Sequence, residues 1–201
     1  MRKHTIFSCL LLGLLLLVFF SGCTGTRMLV DPDPTSLQVA ITKKCGNVAV
    51  KESPPDRNYP PAGNLVPGFA RELERSGLFE AVYYPSRPDD KVDLTIDSKF
   101  NVKFNPSGGN MPKAFFTGLT LFLLEPAFWF DFYYAWDGHI DVYTGKTISK
   151  TIEAKTTANI GMKFLSMGQA QVLEGDVLKN GSMSLYKQLI TQLNDYCTDK
   201  K

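Results

Sequence analysis

From Val92 to Phe104 the chain alternates. Val92, Leu94, Ile96, Phe100, Val102 and Phe104 are apolar, their neighbours Asp93, Thr95, Asp97, Lys99, Asn101 and Lys103 are polar, and only Ser98 interrupts the apolar series. A period of two predicts a long strand with one face on a core and the other in water, as antiparallel sheets allow. Ile140 and Val142 alternate in the same way up to Thr144-Gly145-Lys146, and Ile148, Ile152 and Ala154 follow, which predicts a hairpin. Shorter alternations at Leu37–Ile41, resuming at Val48 and Val50, and around Ala81–Tyr84 predict further strands. Leu65, Phe69 and Leu73 fall four apart, with Asn64 as N-cap, Pro67 in the first turn and Gly77 at the C-terminal turn, so a helix is predicted there. Leu185, Leu189 and Leu193 predict a second helix over about 182–197. Residues 53–63 are too rich in proline to enter a sheet. This order, with two helices on one face of a mostly antiparallel sheet of about five strands, predicts a two-layer α+β fold.

Two apolar segments do not fit that pattern. Leu10–Phe20 follows Arg2 and Lys3 and ends in Ser21-Gly22-Cys23, the arrangement of a secretory signal with a small-residue cleavage site. Residues 113–136 hold both tryptophans and Phe115, Phe116, Phe122, Phe128, Phe130 and Phe132. Three readings of this insert are open. It is a buried helix followed by the start of a core strand, an exposed apolar lobe that touches a leaflet or a partner, or a membrane span. Glu125 and Asp131 argue against the span, since each would be costly in hydrocarbon. For the lobe, the expected contact residues are Phe115, Phe116, Phe122, Phe128, Trp129, Phe130 and Trp136.

The cysteine after Ser21-Gly22 resembles the lipobox of bacterial lipoproteins. That resemblance implies cleavage before Cys23, a diacylglyceryl group on its sulfur and a fatty acyl chain such as palmitate on the new N-terminus. It divides the chain into a signal peptide (1–22), a tether (23–36) and one periplasmic domain (37–201) carrying the insert. Thr24 stands where aspartate commonly retains such proteins in the inner membrane, so the resemblance implies the outer membrane, facing the periplasm.

Charge and cysteine use refine this picture. The 22 lysines and arginines include Arg2 and Lys3; without them the body balances its 20 acidic residues. A body of zero net charge without a basic run offers nucleic acid no electrostatic footprint. Cys9 lies in the leader, which leaves Cys45 and Cys197 either as a disulfide or as two buried thiols in an oxidising compartment.

Catalytic patterns are sparse. His139 with Asp137 and Asp141 shares one strand face, a weak cation site at best and a solvated polar face otherwise. Thr144-Gly145-Lys146-Thr147 shares the end of a phosphate-binding loop but lacks its upstream glycine, and no nucleophile elbow occurs. The expectation is a non-catalytic protein without metal or cofactor. The run Phe69-Ala-Arg-Glu-Leu-Glu-Arg-Ser-Gly-Leu-Phe-Glu-Ala-Val82, followed by Val92-Asp-Leu-Thr-Ile96, resembles the amino-terminal domain of TolB and CsgG-type lipoproteins. That resemblance implies an accessory subunit of an envelope assembly, secretion or transport system, with an envelope protein as partner. The alternative is a carrier or sensor of an apolar ligand such as a lipid, held in a closed pocket lined by Phe115, Phe122, Phe128 and Trp129.

Overall fold

The computed structural model describes residues 25–41, 44–53, 65–87, 89–120 and 127–199. Cys23, Phe122, the leader and most of the proline-rich loop lie outside the described residues. The architecture is α+β. The strands are β1 (Thr26–Asp31), β2 (Cys45–Glu52), β3 (Phe79–Tyr83), β4 (Leu94–Pro106), β5 (Phe130–Thr144) and β6 (Thr147–Met162), in the sheet order β1-β6-β5-β4-β2-β3. The helices are α1 (Leu65–Ser76), α2 (Asn110–Leu119) and α3 (Ala170–Asp199), with a 3₁₀ turn over Phe164–Gln169.

The sheet is mixed and open, with one strand more than the sequence pattern suggests. β2 runs parallel to both neighbours, with Asn47 opposite Ala81 and Val50 opposite Ile96. The cause is the crossover: β2 reaches β3 through α1, and a strand-helix-strand connection of this kind makes neighbours parallel. β5 and β6 are joined by the two-residue turn Gly145-Lys146, where Gly145 has φ +63°, so this pair is antiparallel as expected.

The chain divides into two compact units. The larger comprises residues 30–104, 134–158 and 178–201. Its core forms where α1 and α3 meet β4. Phe100 lies 5.6 Å from the Phe69 ring and 5.9 Å from the Tyr186 ring, both edge-on. The two predicted helices therefore cover one sheet face. Ser98, the break in the β4 alternation, is buried and donates to the Lys51 carbonyl at 2.8 Å, which satisfies its hydroxyl. Two glycines let helix and sheet approach: a Cβ on Gly138 would lie 3.2 Å from Phe100 and Leu185, and one on Gly181 would lie 2.5 Å from the Trp136 ring. The disulfide Cys45–Cys197 joins the start of β2 to the last turn of α3.

Three sequence expectations change here. Residues 26–31 form β1, although the segment was expected to be part of a tether. Leu37–Ile41 is irregular and makes no strand, because its neighbourhood is tied to α3 side chains: Ser184 donates to the Pro32 carbonyl, Lys187 to Pro34 and Asn194 to Ala40, at 2.6, 2.7 and 3.2 Å. α3 starts twelve residues before the predicted 182, since Gly175 and Gly181 blur its apolar face.

The opposite face of β5 and β6 in this unit is polar. Asp137 pairs with Lys103 at 3.9 Å and Lys155 at 4.0 Å, while His139 lies 3.2 Å from Glu153 and 3.3 Å from Asp141. Asp137, His139 and Asp141 thus sit in a cross-strand ladder of charges. Among the described residues no three histidine, cysteine or carboxylate groups are placed to hold a metal ion.

Replacing Gly181 by alanine drives a methyl into the Trp136 ring and should destabilise by about 1–3 kcal/mol. Gly175→Ala meets nothing within 4 Å and should stabilise by about 0.5–1 kcal/mol through helix propensity. Urea titrations that gave both substitutions the same sign would contradict this packing. Loss of the bridge in Cys45→Ala/Cys197→Ala should cost about 2–5 kcal/mol on the same measurement.

Candidate membrane-proximal surface

The smaller unit comprises residues 1–29, 105–133 and 159–177. Within it Gly25 is held by two backbone hydrogen bonds. The Gly25 N–H donates to Ser166 Oγ at 2.8 Å, and its carbonyl accepts from the Lys163 N–H at 2.9 Å. Gly25 also lies against the Trp129 ring, where a Cβ would stand 3.4 Å away. The guanidinium of Arg27 is 4.7 Å from the centre of that ring and the ammonium of Lys163 is 4.9 Å away, both within cation–π range. One residue, Thr24, separates Gly25 from Cys23.

Asp131 is the hub of the unit. Its carboxylate takes Arg27 at 2.7 Å and Lys113 at 3.3 Å. Its backbone exchanges two hydrogen bonds with the Asn110 side chain: Asn110 Nδ2 donates to the Asp131 carbonyl at 2.8 Å, and the Asp131 N–H donates to Asn110 Oδ1 at 3.0 Å. Lys113 also donates to the Trp129 carbonyl. Burial by itself raises the Asp131 pKa, but the hydrogen bonds and charges of Arg27 and Lys113 outweigh it and hold the carboxyl below the usual range.

These contacts decide how α2 sits. Asn110, Lys113 and Thr117 face inward; Thr117 is buried and donates to the Lys113 carbonyl at 2.7 Å. Every exposed residue of α2 is apolar or glycine. Met111 is 80% exposed, Phe115 65%, Phe116 49% and Leu119 67%, with Pro112, Ala114 and Gly118 between them. The helix therefore reverses the usual arrangement of a water-facing helix, which hides its apolar stripe.

The expected contact residues of the insert separate accordingly. Phe115 and Phe116 are on the outer face of α2. Phe128 and Trp129 are half-buried. Phe130 and Trp136 are 2% and 0% exposed, so for these two the expectation of a membrane or partner contact is corrected: they belong to β5 and point into packed interior. Phe130 meets Phe164 with ring centres 6.2 Å apart, and Trp136 stacks on Tyr134 at 5.9 Å. A 65% exposed Phe115 does not line a closed pocket, as a carrier would need. Among the described residues no helix is long and apolar enough to cross a membrane.

The sequence reading overlooked Arg27, Asn110 and Asp131. A signal for the helix was present, since Asn110, Lys113, Thr117 and Thr120 recur at helical spacing. No pattern linked them to Asp131, which meets them only through folding.

No family model and no curated protein matches the chain. Among solved structures, a minor lipoprotein from Acinetobacter baumannii is similar at 11% identity and a TM-score of 0.45, over 75% of this chain and 93% of that chain.

Because the Asp131 carboxyl is held below the ordinary range, its stabilising contribution is complete above about pH 4 and is lost as pH falls further, through the folded-state value. Asp131→Asn should lower stability at pH 7 by about 1–2 kcal/mol and remove part of the acid-side decline below about pH 4. Stability–pH curves of the two proteins that keep the same separation from pH 7 into the acid range, without converging, would refute this role.

Proposed function

We propose that the protein is a lipid-anchored envelope lipoprotein whose α+β body acts as a non-catalytic binding module on the periplasmic side, with the outer membrane as its site. The observation that carries this reading is the position of Cys23. It closes an apolar leader after Ser21-Gly22 and stands two residues before Gly25, which is hydrogen-bonded into the body. Acyl chains on Cys23 would be joined to the body by a two-residue link of about 7 Å at full extension. The other two cysteines of the body are bonded to each other, so Cys23 is the one remaining thiol after the leader.

The binding role is supported by surfaces of unlike character. The ladder of Lys103, Asp137, Lys155, His139 and Glu153 is charged and wet, and α2 is apolar. An envelope protein of an assembly, secretion or transport system is the partner this reading assigns to the charged face of the larger unit.

Mass analysis of the chain purified from its native envelope tests the anchor. The expected product starts at Cys23 and carries acyl mass, and Cys23→Ser should lose that mass and remain unprocessed. A mature chain that starts elsewhere would overturn the reading.

A further inference from the structure

We propose that α2 lies in the lipid leaflet as a second contact beside the acylated N-terminus, its outer face entering the boundary between headgroups and acyl chains. This inference rests on lipid attachment at Cys23 and adds where the body touches the bilayer.

The first observation is the reversed polarity of α2. Asn110 and Lys113 are bonded to Asp131, so rotation of the helix to hide Phe115 or Leu119 would break those bonds, and it would also expose the buried Thr117. The outward arc of Met111, Phe115, Phe116 and Leu119 contains no charged or hydrogen-bonding side chain at all. Protein interfaces carry a polar rim and about one hydrogen bond per 100–200 Å². A purely apolar face suits hydrocarbon, which asks for no hydrogen bonds.

The second observation is the length of the link. Gly25 is fixed in the same unit as α2, and it touches Trp129, whose carbonyl accepts from Lys113 of that helix. With Cys23 acylated, the leaflet surface is within about 7 Å of Gly25. The helix is ten residues long, so about 15 Å of it can lie flat there. Lys113, Arg27 and Trp129 then fall at its polar border, as interfacial helices place lysine, arginine and tryptophan. The acyl chains of a diacylglyceryl and N-acylated Cys23 already anchor the protein firmly, so what a second contact adds is a fixed orientation.

The test uses the processed, lipidated protein in vesicles of phosphatidylethanolamine and phosphatidylglycerol. With Cys45 and Cys197 bonded and Cys23 acylated, Leu119→Cys supplies the one free thiol for an environment-sensitive fluorophore. Quenching by acyl-chain spin labels, with iodide access reduced at least about threefold relative to the detergent-dispersed protein, is the expected result. Met111→Cys should behave alike. The intact disulfide and an unchanged circular dichroism spectrum certify folding of each variant. A label open to iodide on vesicles, in protein whose acyl mass is intact, overturns the leaflet contact and leaves the lipoprotein reading in place. A label shielded from both quenchers shows protein on this face and overturns the assignment to lipid. Absence of acyl mass on Cys23 removes the premise itself.

Discussion

One carboxylate ties the smaller unit together. Asp131 takes Arg27 from β1 and Lys113 from α2, while its peptide groups engage Asn110. A partly buried carboxylate is unfavourable alone and becomes favourable when charged donors close around it. The consequence is directional. By drawing the polar residues of α2 inward, Asp131 commits Met111, Phe115 and Leu119 to the outside. The same carboxylate grips β1, the strand that leads back to Cys23. β1 and the apolar face of α2 are therefore coupled through a single side chain.

The larger unit follows the opposite logic. Its helices hide their apolar residues, and in its aromatic cluster Phe100 meets Phe69 and Tyr186 edge to face, as ring quadrupoles favour. Tyr186 donates to the Leu65 carbonyl at 2.8 Å, and burial pushes its phenol well above the ordinary range, so it stays a neutral donor. Gly68 and Gly181 supply the space that Tyr186 and Trp136 occupy. Here the polar surface, with its alternating acids and bases across β4, β5 and β6, is what solvent or a partner meets.

Periodicity made much of the fold legible. The alternation of β4, the turn at Gly145 and the four-residue spacing of α1 all appear where the residues predict them, because each is a local pattern driven by burial of one face. The rest depended on contacts between distant residues. Residues 26–31 look like a tether because nothing in their own pattern shows that β6 will pair with them. Phe115, Phe116, Phe130 and Trp136 look alike in sequence, all candidates for an exposed lobe; β5 turns Phe130 and Trp136 inward, while Asp131 claims the polar side of α2 and leaves Phe115 and Phe116 outside. Composition and local period reveal which residues are apolar. Only the tertiary structure decides which of them find cover, because cover is supplied by partners far away in the chain.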